Sequence, residues 1–121
     1  MIRAAGGAPD TAAGADLTVV VAPTMRKRIP IILDKVTNIA TPGDTIDVLV
    51  TERGICVNPR RTDVIEKMEA AGIEIKTIED LKNEVEALTG APERISYEDT
   101  IVGIVEYRDG TVMDVIRQVK K

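Results

Sequence analysis

Three glycines and one carboxylate lie close together near the start of the chain, in Gly6-Gly7-Ala-Pro-Asp10-Thr-Ala-Ala-Gly14. Glycine lets backbone N–H groups come close to a ligand, and such groups hold an oxyanion or a phosphate. Asp10 can orient such a loop, or cap a helix after Pro9. The spacing is neither a P-loop nor Gly-x-Gly-x-x-Gly, and no strand precedes it. The ordinary alternative is a tail of small residues. A second constellation, Asn58-Pro59-Arg60-Arg61-Thr62, stands where a helix opens, and helix starts attract anions. Guanidinium recognises phosphate and carboxylate bidentately, so Arg60 and Arg61 are candidate anion ligands. Asn58 beside them equally suits a turn cap. Arg26-Lys27-Arg28 forms a third basic patch that could meet the same anions; its ordinary reading is a solvated loop.

Nucleophiles are few. Cys56 lies in an apolar arm and has no histidine to activate it, which suits a small buried filler. Glu52 is a candidate only because it sits in a tight turn, where acids are usually solvated. The residues show no metal-ligand spacing. Histidine is absent and cysteine occurs once, which excludes histidine catalysis, zinc fingers and a disulfide within the chain. Lys and Arg total 16 against 20 Asp and Glu, so a net charge of -4 argues against wrapping nucleic acid. Tyr97 and Tyr107 are the whole aromatic content and form no stacking platform. No apolar run approaches the ~20 residues that span a bilayer, and no signal-peptide segment opens the chain. With one thiol, that makes a cytoplasmic location the expectation.

These residues need elements to position them. The chain of 121 residues fits one domain, 1–121, whose core could bury about two thirds of the unfolded surface. Residues 1–16 are Gly/Ala-rich and predict a loop, with at most one helical turn after Pro9. Leu17 to Ala22 holds three valines in a row and predicts a strand covered on both faces. The apolar runs of Ile29 to Ile39 predict a strand that starts after Pro30. Thr41-Pro-Gly-Asp44 is a turn, Ile46 to Val50 a strand, Glu52-Arg-Gly54 a tight turn, and Ile55 to Val57 a second arm. Thr62 is the expected cap of a helix ending at Gly72. Ile73 to Lys76 predicts a short strand, and Thr77-Ile-Glu-Asp80 a capping box before the stripe Leu81, Val85, Leu88. Ile101 to Tyr107 and Thr111 to Val119 flank Asp109-Gly110, the residues of a type I′ hairpin turn. The order β, β, β, β, α, β, α, β, β is α/β with a mixed sheet, flanking helices and a C-terminal β-hairpin.

Taken together, several segments match one family. Gly6 to Leu17 resembles the Gly-Gly-x-x-Asp-Thr-Ala-Ala-Gly-Ala segment of the citrate lyase alpha chain family. Arg28-Ile-Pro30, Thr41-Pro-Gly43, Asp47-Val-Leu-Val-Thr51, Gly54-Ile55 and Val57-Asn-Pro-Arg-Arg61 continue the resemblance in register. Thr77-Ile-Glu79, Leu88-Thr-Gly90, Tyr107-Arg-Asp-Gly-Thr111 and Asp114 to Lys120 carry it to the end.

The resemblance implies a part of the second α/β domain of a CoA-transferase. That enzyme exchanges acetate for citrate on the thioester of an acyl carrier protein, and a lyase subunit then yields oxaloacetate and acetyl-thioester. It implies no covalently bound cofactor in this chain, only the CoA-like prosthetic group of the carrier. It places the nucleophilic glutamate upstream of the glycine segment, before Met1, so the chain has no catalytic residue. Gly6, Gly7, Asp10 and Gly14 are then expected beside the thioester. The implied partners are the N-terminal part of the alpha chain and the acyl carrier and lyase subunits. Cut from its domain, the chain is expected to be inactive and to self-associate through exposed strand edges. The chain departs from the family at Ala8, where a polar residue is expected, at Pro9, and at Lys27, where the family favours glycine between arginines. The alternatives are a non-catalytic module that binds CoA or an acyl carrier, and a small enzyme built on Glu52 or Cys56.

Overall fold

The structure, a computed structural model, describes residues 6–121; the first five residues of the Gly/Ala-rich segment lie outside the described residues. The expected loop is instead a helix, α1 (Ala8–Gly14), with Pro9 in its first turn and Asp10 near its positive end. Alanine-rich composition favours helix once Ala12 can be buried. Strand β1 (Val19–Val21) is shorter than the expected strand Leu17 to Ala22 and pairs in parallel with β4 (Val48–Thr51). It is an edge strand of the three-stranded sheet β1-β4-β5, where β5 is Gly54–Val57. Val19 and Val21 are 46% and 77% exposed, so the expected cover on both faces is missing.

Glu52-Arg53 turns β4 into antiparallel β5, as the sequence indicated. Thr51 Oγ accepts from the N–H groups of Arg53 and Gly54 and donates to the Gly54 carbonyl, which closes the turn. A Cβ on Gly54 would lie 2.7 Å from Lys76 Cδ, so any other residue there would have to displace the Lys76 side chain.

The strand expected after Pro30 is absent. A small hairpin of β2 (Met25–Arg26) and β3 (Ile29–Pro30) ends at Pro30, and residues 31–42 run irregularly. Their apolar side chains have no partner strand; Ile31, Leu33, Val36 and Ile39 stay exposed. Asp34 pairs with Lys82 at 2.6 Å, and Asp114 takes the Ile39 N–H at 2.8 Å, so side chains rather than a ladder hold this stretch.

Helix α2 (Thr62–Ala70) starts as expected, but Arg61 and not Thr62 caps it: the Arg61 carbonyl accepts the first bonds, from Val64 and Ile65. After it, the Ile73 N–H reaches the Met68 carbonyl over Gly72 at φ 73°, a Schellman-type end. The expected strand Ile73 to Lys76 reduces to one parallel bridge, Ile75 to Ile55. Thr77 caps α3 (Ile78–Thr89) by accepting the Asp80 N–H at 3.1 Å. On α3, Leu81 and Val85 are fully buried, while Leu88 is exposed.

The hairpin β6 (Tyr97–Glu106) and β7 (Val112–Val119) is present, with a different turn. Type I′ needs positive φ at both central residues, and here only Gly110 has it, at 86°. The Gly110 N–H closes on the Tyr107 carbonyl, giving a type I turn over Arg108-Asp109 followed by a bulge glycine. The Asp109 carboxylate accepts the Thr111 N–H and hydroxyl just beyond the turn.

The core is thin. Ala12, Val48, Cys56, Val57, Leu81 and Val85 are its buried apolar residues among those described. The surface is 8876 Å² for a 13.1 kDa chain, against about 6,400 Å² for a monomer of that mass. Set against an unfolded surface of about 19,000 Å², roughly half is buried, short of the two thirds expected from length.

Lys27 is the one described non-glycine residue at positive φ, 59°, in the two-residue loop between β2 and β3. That conformation favours glycine. We therefore expect Lys27→Gly to stabilise the chain by about 1 kcal/mol, read as a higher Tm; an unchanged or lower Tm contradicts it.

Candidate functional site

A cleft of about 440 Å³ opens between the start of α1 and the C-terminal hairpin. Gly6, Pro9 and Asp10 form one wall, and Tyr107 and Arg108 face them. Ile39, Val105, Met113 and Ile116 make the rest of the lining largely apolar. Asp114 ties the floor to the hairpin: it accepts the Ile39 N–H, while Asn38 Nδ2 donates to the Val115 carbonyl at 2.7 Å. The Ile39 N–H, and after it the Val115 N–H, hold the Asp114 carboxyl below its ordinary range. Arg108 Nε stands 3.8 Å from Asp10 Oδ1, an exposed pair of little intrinsic strength across the mouth. A cleft of this size with an apolar lining and a few charged groups at its rim suits an amphipathic ligand.

The glycine segment is thus divided. Gly6, at φ 63°, and Asp10 line the cleft. The Gly7 carbonyl accepts from the Thr11 N–H and hydroxyl at 3.0 and 2.9 Å, so it starts α1. Gly14 ends that helix and is exposed, and a Cβ there would meet nothing within 4 Å. Sequence reasoning missed Arg108, Tyr107 and the 38–40 stretch. No local pattern could have found them, because they come from nearly a hundred residues away or from an irregular segment.

Asn58, Arg60 and Arg61 lie outside the cleft and are largely engaged within the chain. Asn58 Nδ2 donates to the Ile46 carbonyl at 2.9 Å, and its Oδ1 accepts the Arg60 N–H at 3.2 Å. Arg61 Nη1 pairs with Asp47 at 2.8 Å and donates to the Asp16 carbonyl at 3.0 Å, while Nε and Nη2 grip Asp63 bidentately. The guanidinium that was a candidate for an external anion therefore holds two carboxylates of its own chain. The Arg60 side chain is exposed.

Glu52 is likewise engaged. Its carboxylate accepts the Thr24 N–H at 2.9 Å and the Thr24 hydroxyl, and that hydroxyl is the main cause of its lowered pKa. A carboxylate so bound ties the β4–β5 turn to the base of the β2–β3 hairpin. Cys56 is buried, and burial pushes its thiol up, which disfavours the thiolate. Among the described residues, no group of three His, Cys, Asp or Glu is placed to hold a metal ion. No described helix is long and apolar enough to cross a membrane.

The Arg61 side chain holds Asp63 down to about 2, and the Thr18 N–H, ahead of Arg61, lowers buried Asp47. Depressed carboxylate pKa values stabilise the fold above the unfolded-state value near 4 and lose that effect as pH falls through the folded-state values. We expect Tm to fall steeply between about pH 4 and pH 2. Asp47→Asn should lower Tm at pH 7 by more than it does at pH 2. An equal deficit at both values would show that charge is not what Asp47 contributes.

The comparisons with known proteins agree with this architecture. The family described as "Citrate lyase, alpha subunit (CitF)" matches residues 1–119. The citrate lyase alpha chain of Klebsiella pneumoniae is 55% identical over 117 residues, and that of Escherichia coli K12 is 46% identical over 118. These alignments cover 97% and 98% of this chain but 23% of each relative, so the chain spans about a quarter of their length. A crystal structure from Streptococcus mutans, described as the alpha subunit of citrate lyase in complex with citrate, superposes with a TM-score of 0.90 at 45% identity. It is matched over 95% of this chain and 22% of its own. The chain belongs to the citrate lyase alpha subunit family, of which it represents a C-terminal portion.

Proposed function

We propose that this chain supplies one wall of the thioester site of a citrate CoA-transferase, which exchanges acetate for citrate on an acyl carrier in citrate cleavage. The observation that carries this reading is the match to the alpha subunit over residues 1–119. The cleft beside Gly6 and Asp10 supports it, because an acyl thioester on a CoA-like arm is a chain of mixed polarity. The family's nucleophilic glutamate is assigned to the remainder of the alpha chain. Its carboxylate attacks the acetyl thioester, the thiolate leaves, and an acyl-glutamyl anhydride forms. The thiolate then attacks the glutamyl carbonyl, releasing acetate and leaving an enzyme thioester for citrate to take over. In this scheme Asp10 and Arg108 orient the bound arm at the mouth of the cleft, and the apolar lining excludes water.

The partners proposed are the rest of the alpha chain, the acyl carrier and the lyase subunit, in the cytoplasm. The surface excess and the exposed β1 edge support a missing cover. Left uncovered, these faces should make the chain self-associate as concentration rises, measured by sedimentation. A strict monomer with residues 17–22 fully protected from hydrogen exchange would contradict this.

The function is tested by acyl exchange between acetyl-thioester and citrate, with borohydride trapping of a glutamyl thioester. Alone, the chain should give neither exchange nor adduct. Added to the rest of an alpha chain it should restore both, and Asp10→Ala should lower the restored rate by about tenfold. Exchange by the chain alone, with a trapped glutamate, would place the nucleophile within residues 1–121 and overturn the assignment.

A further inference from the structure

The cleft has two walls on one floor. Residues 38–40 form the floor, the start of α1 is one wall, and the C-terminal hairpin is the other. The described hydrogen bonds and ion pairs that join residues 97–119 to the rest of the chain go to two places only. At the floor, the Ile39 N–H donates to Asp114 at 2.8 Å and Asn38 Nδ2 to the Val115 carbonyl at 2.7 Å. Beside it the Tyr97 hydroxyl donates to Thr37 Oγ1 at 3.4 Å. At the mouth, Arg108 Nε meets Asp10 Oδ1 at 3.8 Å. No described helix or strand outside the hairpin packs extensively along it.

The two fastenings differ in kind. The floor bonds are short, and one ends on a carboxylate, which makes the stronger class of hydrogen bond. The mouth pair is long and exposed, so it contributes little and is screened by salt. Val105, Met113 and Ile116 line the cleft and are half-buried, while Val102, Ile104 and Val112 are exposed, so nothing described presses the hairpin from outside. The floor is irregular chain, pinned to α3 through Asp34 and Lys82 at 2.6 Å, with no ladder to stiffen it. A few such residues can absorb the dihedral change of a hinge.

We propose that the cleft is a clamp: the C-terminal hairpin swings on residues 37–40 toward and away from α1, and the pair of Asp10 with Arg108 is its latch. A latch this weak leaves the open and closed arrangements close in free energy, so a ligand that touches both walls shifts the balance toward closure. The inference stands on how the hairpin is fastened and holds whatever the cleft takes.

The chain has two tyrosines and no tryptophan, and both tyrosines belong to this hairpin. Intrinsic fluorescence therefore reports on the hairpin alone. Tyr107 lines the mouth of the cleft, and Tyr97 stands at the opposite end of β6. Tyr97→Phe leaves Tyr107 as the single reporter, and Tyr107→Phe leaves Tyr97. Acrylamide quenching is then measured on the dilute 121-residue chain, with circular dichroism to confirm the fold. In the Tyr97→Phe chain, Asp10→Asn should raise the quenching constant of Tyr107 by about twofold, as loss of an exposed ion pair allows. Arg108→Gln should do the same, and the two together should add nothing further. About 1 M salt should reproduce the rise in the chain that keeps both charges and leave the double variant unchanged. In the Tyr107→Phe chain, none of these changes should move Tyr97.

Unchanged quenching of Tyr107 in both variants would overturn the clamp. An equal rise at Tyr97, with lost hydrogen-exchange protection at residues 103–105 and 114–116, would also overturn it, since the hairpin would then melt rather than swing. A rise in Arg108→Gln that neither Asp10→Asn nor salt reproduces would reduce the effect to lost local cover and would overturn it too. No ligand is added, so these outcomes are separate from acyl exchange, whose failure would remove the thioester reading and leave the clamp standing.

Discussion

Asp47 is the junction on which the rest of the structure hangs. It is buried, at the entry to β4. One carboxylate oxygen accepts the Thr18 N–H at 2.7 Å, and the other meets Arg61 at 2.8 Å. Its own N–H goes back to the Thr18 carbonyl, and its carbonyl takes the Asn58 N–H. One residue thereby joins the approach to β1, the start of β4, the end of β5 and the start of α2. A buried carboxylate is costly unless it is paired and hydrogen-bonded, so the four connections hold together or fail together.

Around that junction the molecule has little else to lean on. Leu81 and Val85 of α3 and Val48 of β4 are nearly all of its large fully buried apolar side chains. Ion pairs and hydrogen bonds do work that a fuller core would otherwise do. Lys76 ties the β4–β5 turn to α3 through Arg53 and Glu84, Lys82 fastens the 31–42 stretch, and Asp114 fastens that stretch to the hairpin. Each such surface pair is weak by itself. The valines of β1 and isoleucines of β6 stay exposed in a chain that spans about a quarter of its relatives' length.

Legibility in the sequence followed the range of the interaction. The Thr77 cap, the stop at Gly72 and the Glu52–Arg53 turn all rest on bonds within a few residues, and each was readable. The Asp109-Gly110 turn is readable in place but not in type, because the same Asp-Gly pair also serves a type I turn closed by a bulge glycine. The 31–39 stretch has the apolar spacing of a strand but stays irregular, because no neighbouring strand is there to pair with it. The glycine segment became a helix because Ala12 found cover, which composition does not disclose.

The candidate site divides in the same way. The sequence by itself determined the residue types near the cleft, the lack of any histidine, the three-cation tip and the membership of the citrate lyase alpha subunit family. Only the tertiary structure decided which of these residues meet. It set Asp10 across from Arg108, drew Arg61 away from external anions and onto Asp47 and Asp63, and placed Lys27 in a conformation that favours glycine. The reason is physical: residue chemistry is carried by each position alone, whereas a cleft or an ion pair depends on which distant segments the core brings together.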